Sequence, residues 1–342
     1  MIYTEAYLRD LDRIAQAVPQ LQQLQGSRVL VTGAGGLICS ALVDFLLKAL
    51  PNVAVCAAGR DVAKLKTRFS HWCNEPRLTY LAYDALAPIT ATEHFDYLIH
   101  GASPAHPGAY AAQPVQTMQA NFVGMLNLLD YARDHGAKRV LYVSSSEVYG
   151  RKEGSEPYHQ DEYGFVDILN PRACYPSAKR AAETLCAAYT AQYGLDTVMV
   201  RPGHVYGPTA TASDSRASSQ FPRDVKAGKD IVMKSAGSQK RSYCYVLDCV
   251  SAMVTVLLHG EKGRAYNISN RHSVVTIRQM AQAFADAAGR QLLFENPSDL
   301  EKKSYNLMDN SALDATELEK LGWQGMFDLH AGVAATLDAI EG

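Results

Sequence analysis

The chain has 342 residues, of which 47% are hydrophobic and 20% are charged, and its formal net charge is −2. This length suffices for one large α/β unit with an appended lobe and a sizeable core. The near-neutral charge, without a basic run, argues against a nucleic-acid partner, and no uncharged apolar stretch approaches the roughly 18 residues that a membrane span requires.

The N-terminus and the cysteines indicate the compartment. Residues 1–5 lack the basic and then apolar layout of a signal peptide, so we expect a cytoplasmic protein. The seven cysteines are scattered, without Cys-x-x-Cys pairs. This odd number indicates reduced, mostly buried thiols, and we expect neither disulfides nor a metal site.

Residues 1–26 precede the first predicted strand and form a lead-in segment. Apolar side chains recur in it at helical spacing, at Tyr7, Leu11, Ile14, Val18 and Leu21. This periodicity predicts an amphipathic helix that packs on its own domain.

A short buried strand is predicted at 28–32, directly before the glycine-rich turn Gly33-Ala34-Gly35-Gly36-Leu37-Ile38-Cys39 and an apolar helix over 40–50. This order of strand, turn and helix is that of a dinucleotide site. Gly33 permits the tight turn, Gly36 lets backbone amides approach a pyrophosphate, and the helix N-terminus adds partial positive charge. Cys39 stands where the motif has its third glycine, and we expect it to be an imperfect packing substitute.

Alternating strands and helices follow along the chain. Strands are predicted at 53–58, 78–83, 97–100, 139–143 and 197–200, and long helices at 114–135 and 175–193. Such alternation predicts an α/β, Rossmann-like, doubly wound parallel sheet. After Pro208 the pattern becomes irregular, with a polar loop over 209–219. We therefore predict a helical lead-in (1–26), a dinucleotide-binding domain with the catalytic residues (27–207) and mainly a smaller C-terminal substrate-binding lobe (208–342).

Tyr175 and Lys179 lie four residues apart, so they share one helix face and can act as one acid/base unit. A phenol with an unperturbed pKa of about 10 is a poor base at neutral pH, but a neighbouring ammonium favours the phenolate. The pair could then take a proton from a sugar hydroxyl while hydride leaves the same carbon.

Three serines, 144–146, follow the strand predicted at 139–143. Open α/β sheets bind ligands at this end of a strand, and hydroxyls there can donate to an oxygen that is being oxidised. Glu147 comes next and indicates chemistry that moves a second proton, whereas a solvated loop glutamate is the alternative.

On these motifs, the chain from about residue 28 onward resembles the extended short-chain dehydrogenase/reductases, the NAD-dependent epimerase/dehydratase family that remodels nucleotide sugars. Within it, the segments 100–104, 145–150, 170–184 and 237–243 are most similar to UDP-glucuronate decarboxylases. The resemblance implies a nucleotide-sugar substrate and a homodimer built on the helices at 114–135 and 175–193. Burial of these helices within one subunit is the alternative.

The resemblance also implies roles for single residues. Tyr175 is the base, Ser145 is the hydroxyl partner of the reacting oxygen, and Lys179 holds the nicotinamide ribose and keeps Tyr175 ionised. Glu147 acts near the sugar carboxylate. The predicted substrate contacts are Ser146, Arg172, His204, Arg216 and Arg241. The predicted cofactor contacts are Gly33, Gly35, Gly36, Leu37, Ile38, Arg60, Asp84, Ala102, Ser103, Asn121 and Lys179, with Asp84 at the adenine.

The implied chemistry is redox-neutral, because hydride leaves sugar C4 and later returns. The transient 4-keto group acidifies its neighbours, so a C5 carboxylate would leave as carbon dioxide. We predict this decarboxylase-like reaction. The alternatives are 4,6-dehydration and 4-epimerisation, and, from another class, a non-catalytic nucleotide-binding regulatory protein. The intact set of Ser145, Tyr175 and Lys179 argues against the last.

Two features depart from the decarboxylase pattern. His204 stands where the family commonly has an asparagine that touches the substrate, and a histidine is bulkier and titrates near neutrality. A core histidine bonded to a backbone carbonyl is the alternative. The second strand lacks the acidic residue that grips a ribose 2′-hydroxyl and is followed by Arg60, which could pair with a 2′-phosphate or lie over the adenine. The resemblance favours NAD and Arg60 favours NADP; we predict NAD.

Overall fold

The computed structural model describes residues 3–104, 107–296 and 310–340. Its strands are β1 (Arg28–Thr32), β2 (Ala54–Gly59), β3 (Leu78–Ala82), β4 (Tyr97–His100), β5 (Arg139–Val143), β6 (Thr197–Pro202), β7 (His204–Tyr206), β8 (Ile231–Met233), β9 (Lys240–Tyr245), β10 (Ala265–Ile268), β11 (Val274–Thr276), β12 (Leu292–Phe294) and β13 (Asn310–Ser311). Its helices are α1 (Glu5–Ala15), α2 (Leu37–Ala49), α3 (Val62–Arg68), α4 (Pro107–Ala112), α5 (Pro114–Asp134), α6 (Cys174–Tyr193), α7 (Ala217–Lys226), α8 (Val246–His259), α9 (Ile277–Ala287), α10 (Thr316–Glu319) and α11 (Leu329–Ala339).

A seven-stranded parallel sheet forms the centre of the molecule, in the order β10-β6-β5-β4-β1-β2-β3. This arrangement confirms the predicted doubly wound α/β fold. The strand order reverses between β1 and β4, and open α/β sheets bind ligands outside the carboxyl ends of the strands at such a reversal. The predicted glycine-rich turn lies at this point.

The structure corrects three predicted elements. Helix α2 begins at Leu37, not at residue 40, because Gly36 already serves as its N-cap. Helix α1 ends at Ala15, since Pro19 disfavours a helical backbone at the residue before it. The loop predicted over 209–219 is helical from Ala217, where α7 begins.

The chain returns to the large sheet between strands of a smaller one. Strands β7, β9, β11 and β13 form the smaller sheet, and β10, which lies between β9 and β11 in the chain, pairs with β6 at the edge of the large sheet. The segment predicted as the substrate-binding lobe therefore also supplies a strand to the dinucleotide-binding layer. The predicted division at residues 26 and 207 stays a prediction, and residues 1–2, 105–106, 297–309 and 341–342 lie outside the described residues.

Asp44, fully buried on α2, holds the N-terminal segment in place. The Tyr3 hydroxyl and the Trp72 indole donate to its Oδ1, each at 2.9 Å, while the Tyr7 hydroxyl and Arg68 Nη2 donate to its Oδ2 at 3.0 and 2.9 Å. Because a buried carboxylate is costly unless it is fully paired, these bonds fix the position of α1. The lead-in helix thus packs on its own subunit, as predicted.

The cysteines also match the sequence prediction. All seven are free, and each except Cys73 is buried, as expected of reduced thiols. The cytoplasmic location stays a prediction. Within the described ranges, no helix has both the length and the apolar character needed to cross a lipid bilayer.

Cys39 is accommodated beside the glycine-rich turn because Gly101 has no side chain. A Cβ at Gly101 would collide with Cys39 Sγ. Gly33, at φ 68°, approaches the same segment, and a Cβ there would lie 2.6 Å from the carbonyl carbon of Gly101. A thiol at the third-glycine position therefore depends on a glycine at the end of β4.

We expect Gly101→Ala to lower the free energy of unfolding by roughly 1–3 kcal/mol, because the added methyl overpacks against Cys39 Sγ. In a Cys39→Ala background, which removes only the sulfur atom, the same substitution should cost much less. Urea unfolding of the four proteins of this double-mutant cycle measures the coupling. An equal cost in both backgrounds would contradict the proposed dependence.

Candidate active site

Helix α6 carries Tyr175 and Lys179 across the carboxyl end of β5. Lys179 Nζ donates to the Val143 carbonyl at 2.7 Å and lies 4.6 Å from the ring centroid of Tyr142. Lys179 is only 3% exposed, so this contact fixes α6 against the strand. Its Nζ is also 5.7 Å from the ring centroid of Tyr175. The structure thus brings the two predicted residues together.

The serines after β5 complete this arrangement. Ser145 lies near enough to the Tyr175 hydroxyl to lower its pKa, and its Oγ accepts a hydrogen bond from the Glu147 amide at 3.2 Å. Ser145 thereby caps the helical turn Ser146–Tyr149. One turn therefore positions both the predicted hydroxyl partner and the predicted carboxylate, while Ser146 in the same turn is buried.

Burial dominates the titration of the tyrosine and the lysine. Burial and, to a smaller extent, Glu147 raise the pKa of Tyr175 to about 12, and together they outweigh the opposite effects of Ser145 and two nearby arginines. Burial also lowers the pKa of Lys179 to about 7. Desolvation thus disfavours both charged forms in this arrangement, and the role of Lys179 in keeping Tyr175 ionised stays a prediction.

Glu147 is held by Arg172, whose Nη1 and Nη2 donate to the two carboxylate oxygens at 3.1 and 3.2 Å. Burial acts to lower the pKa of Arg172, but Glu147 outweighs it and the net shift is upward. The structure therefore places two predicted site residues in one bidentate ion pair, a geometry that fixes both groups.

Tyr110, on the short helix α4, belongs to the site although the sequence reasoning missed it. Its ring stacks on the Tyr175 ring, with the centroids 4.7 Å apart and the planes at 17° to each other. The Arg172 guanidinium also lies 4.7 Å from the Tyr110 ring centroid. Burial raises the pKa of Tyr110, so the phenol stays neutral. An aromatic residue between β4 and α5 was the signal that could have found it.

The smaller sheet and the loop before α7 contribute the remaining predicted substrate residues. His204 on β7 pairs with Tyr243 on β9, with ring centroids 5.7 Å apart. Arg241, also on β9, is 3% exposed. Arg216 precedes α7, and its Nε donates to Asp214 Oδ1 at 3.0 Å. Both arginines are near enough to affect the titration of the histidine.

His204 is neutral at physiological pH. Desolvation, together with the smaller effects of Arg241 and Arg216, lowers its pKa to about 3. The predicted titration near neutrality is therefore wrong. The alternative of a core histidine bonded to a backbone carbonyl finds no support either, because His204 Nδ1 is buried without a hydrogen-bond partner among the described residues. What the site holds is a neutral imidazole with an unused nitrogen beside two guanidiniums.

The glycine-rich turn and its neighbours fit a dinucleotide. Gly36 is the N-cap of α2 and no side chain caps the helix, so the first amides are available to a phosphate. Asn121 is buried, and its Nδ2 donates to the Thr117 carbonyl at 2.8 Å while its Oδ1 has no partner among the described residues. Lys179 donates only one of its three ammonium protons to Val143. Donors and an acceptor thus remain for a cofactor.

The other predicted cofactor residues lie along the same edge of the sheet. Gly35, Leu37 and Ile38 lie in the turn and the start of α2, and Ala102 and Ser103 follow β4, both partly buried.

The last two predicted cofactor residues are exposed. Arg60 follows β2 directly, whereas Asp84 lies two residues beyond the end of β3 and its Oδ1 accepts the Leu86 amide at 3.0 Å. Except for Asn121 on α5 and Lys179 on α6, all the predicted cofactor residues therefore lie near the carboxyl ends of β1 to β4.

Comparison with known proteins agrees with this geometry. Residues 29–269 match the NAD dependent epimerase/dehydratase family. The chain belongs to this family. It is similar to UDP-glucuronic acid decarboxylase 6 of Arabidopsis thaliana, with 31% identity over 309 residues, 90% of this chain and 86% of the relative. It is also similar to UDP-glucuronic acid decarboxylase 1 of Xenopus tropicalis, with 29% identity over 320 residues, 93% of this chain and 73% of the relative.

Solved structures of family members share the fold. An epimerase from Methanothermobacter thermautotrophicus superposes with a TM-score of 0.82 at 18% identity, over 95% of this chain and 94% of that one. UDP-glucuronic acid 4-epimerase of Bacillus cereus, in complex with UDP-glucuronic acid and NAD, gives a TM-score of 0.76 at 21% identity, over 91% and 98%. At these identities the likeness confirms the Rossmann-like architecture and nothing finer.

His100, at the end of β4, provides a pH-dependent test of the site. Burial, together with a smaller effect of Lys179, lowers its pKa to about 3, and its Nδ1 lies 2.8 Å from Thr32 Oγ1. The unfolded chain therefore binds a proton that the folded chain excludes, so stability is lost as the pH falls below about 6.5. We expect this group alone to contribute up to about 1.4 kcal/mol per pH unit.

Urea unfolding at several pH values between about 7 and about 5 checks this expectation. His100→Gln should flatten the decline in the free energy of unfolding. His330→Gln, at an exposed histidine, is the matched control and should leave the decline unchanged. Identical slopes for the wild-type protein and His100→Gln would show that His100 does not carry the effect.

Proposed function

We propose that this protein is an NAD-dependent enzyme that modifies a nucleotide sugar without net redox change, with UDP-glucuronate decarboxylation as the reaction. One observation carries the proposal: Arg172 and Arg216 lie close enough to Tyr175 to lower its pKa, and Arg216 and Arg241 both lower the pKa of His204. Several guanidiniums around one acid/base residue suit a substrate with a diphosphate and a carboxylate. The similarity to decarboxylases supports the same choice.

Ser145 and Tyr175 would handle the proton of the sugar C4 hydroxyl. NAD, when bound, accepts hydride from that carbon and returns it. Tyr175 takes the hydroxyl proton, and Ser145 donates a hydrogen bond to the oxygen. Burial raises the pKa of Tyr175 to about 12 even though Ser145 and the two arginines act in the opposite direction, so the phenolate needs further stabilisation in the complex with substrate and cofactor. Lys179 would bind ribose hydroxyls beside them.

The ion pair of Glu147 and Arg172 would respond to the substrate. A sugar carboxylate competes with Glu147 for the Arg172 guanidinium, since both are carboxylates that can accept its two parallel hydrogen bonds. Once the substrate holds Arg172, Glu147 would be released from its ion pair. In decarboxylation the C5–carboxylate bond breaks, carbon dioxide leaves, and a proton must reach C5. The released Glu147 would take up a proton from water and pass it to C5.

Incubating the protein with NAD and UDP-glucuronate should give a product lighter by one carbon dioxide, measured by mass spectrometry of the nucleotide sugars. UDP-glucose, UDP-N-acetylglucosamine and GDP-mannose, tested separately, should stay unchanged. Loss of one water from any of these would instead make the protein a dehydratase. An unchanged mass with a new chromatographic peak would make it an epimerase.

Tyr175→Phe should lower turnover by roughly 100- to 10,000-fold, because general acid/base transfer at C4 is lost. Binding of UDP-glucuronate and NAD, followed by calorimetry, should persist. Tyr193→Phe is the matched control at the exposed end of the same helix and should keep full activity. A regulatory nucleotide-binding protein would show binding without turnover in all three proteins.

We also propose that the protein is a homodimer. Helices α5 and α6 pack side by side, and α5 presents three apolar side chains to solvent at helical spacing: Val115, Met118 and Phe122, which are 61%, 46% and 42% exposed. An exposed apolar stripe along a helix suits packing against a second copy of the chain.

Phe122→Asp should convert the dimer to a monomer, because a charge would be buried without a partner at the proposed interface. Sedimentation equilibrium measures the mass in solution. Leu293→Asp introduces the same charge at another exposed apolar residue, 42% exposed, and should leave the dimer intact. A monomeric wild-type protein, or a dimer that Phe122→Asp does not disturb, would overturn this assignment.

A further inference from the structure

The end of β2 decides between two cofactors. In Rossmann-like folds an acidic side chain at this place hydrogen-bonds the adenosine ribose 2′-hydroxyl of NAD, whereas an arginine accommodates the 2′-phosphate of NADP. Here β2 ends at Gly59, and Arg60 follows. The place of the selecting carboxylate is therefore held by a residue without a side chain.

Leu65 occupies the space beside Gly59. A Cβ at Gly59 would lie 3.3 Å from Leu65 Cδ1, and one at Gly35 would lie 3.4 Å from Leu65 Cδ2. Leu65 is 4% exposed, so it packs between the glycine-rich turn and the end of β2. A carboxylate side chain at residue 59 would have to push this leucine aside. An apolar contact has replaced the group that selects NAD.

The next acidic residue, Asp61, is engaged in capping α3. Its Oδ1 accepts the Lys64 amide at 3.0 Å, and its Oδ2 lies 3.6 Å from Lys64 Nζ. Such an N-cap contributes about 1 kcal/mol to a helix, so turning the carboxylate toward a ribose would have a cost. Asp61 is therefore a poor substitute for the missing acid.

Arg60 is exposed and has no hydrogen-bond or ion-pair partner within the described part of the chain. Its planar guanidinium offers five donors in a geometry that matches phosphate oxygens. The Lys64 side chain, 87% exposed, adds a second cation nearby along the chain. The residues after β2 thus supply positive charge where a 2′-phosphate would lie.

We propose that Arg60 binds a 2′-phosphate, so that this chain takes NADP at least as tightly as NAD. The inference rests on the proposed function in one respect, since it needs a dinucleotide at the glycine-rich turn. The inference goes beyond the proposed function in the choice of cofactor, because the matching family is described as NAD dependent.

Titration calorimetry of the full chain with NAD, NADP, ADP and adenosine 2′,5′-bisphosphate tests the proposal. Arg60→Ala should weaken the two 2′-phosphorylated ligands by roughly 10- to 100-fold, the loss expected for hydrogen bonds to a charged group. NAD and ADP should bind as before. Arg290→Ala, at an exposed arginine beside β12, is the control for loss of one positive charge and should change nothing.

The outcomes separate this inference from the proposed function. If wild-type protein binds NAD but binds NADP more than about tenfold more weakly, the inference fails and the proposed function stands. If Arg60→Ala weakens all four ligands equally, the arginine lies over the adenine and the inference also fails. If neither dinucleotide binds, the cofactor site itself is refuted and both proposals fall.

Discussion

The ammonium of Lys179 is held inside the protein by one hydrogen bond to the Val143 carbonyl, and the geometry of the catalytic residues depends on that contact. A buried amine is expensive to charge, which is why its pKa falls to about 7. The same bond ties α6 to β5, and this places Tyr175 beside Ser145. Burial of Arg201, on β6, against Glu183 of α6 reinforces the attachment, with Nη2 to Oε2 at 2.6 Å.

The charged side chains of the site are stabilised by ion pairs with one another rather than by exposure to solvent. Glu147 is matched by Arg172, and Asp214 by Arg216, whose Nη2 lies 2.5 Å from Oδ2. His204 contributes no charge because its pKa is about 3. A ligand with negative charge therefore enters a site in which each of these arginines already has an acidic partner, and it must displace that partner or share its guanidinium.

Much of the fold and of the candidate site could be predicted from the sequence, and what could not be predicted has a physical reason. The strand, glycine-rich turn and helix around Gly33 are local patterns, and so is the spacing of Tyr175 and Lys179 on one helix. Tyr110 was missed because its stacking partner is remote in the chain and no period marks it. The raised pKa of Tyr175 could not be predicted, since residue types reveal a neighbouring charge but not how deeply the tyrosine is buried.

The packing of Cys39 against Gly101 could not be predicted from the sequence either, because the two residues come together only through the pairing of β1 with β4. Sequence motifs describe each position separately, whereas packing couples them. The start of α7 at Ala217 was missed for a related reason. Its apolar residues Phe221 and Val225 are buried, and α7 packs against α9, which is remote in the sequence.

The attachment of the smaller sheet limits how the protein can move. Strand β7 follows β6 after a single residue, and β9 runs directly into α8, which packs on α2. The chain then rejoins the large sheet through β10. A lobe anchored on both sides cannot swing about one hinge, so we expect ligands to be admitted by local rearrangement of the Tyr110 segment and of the loop before α7 rather than by domain closure.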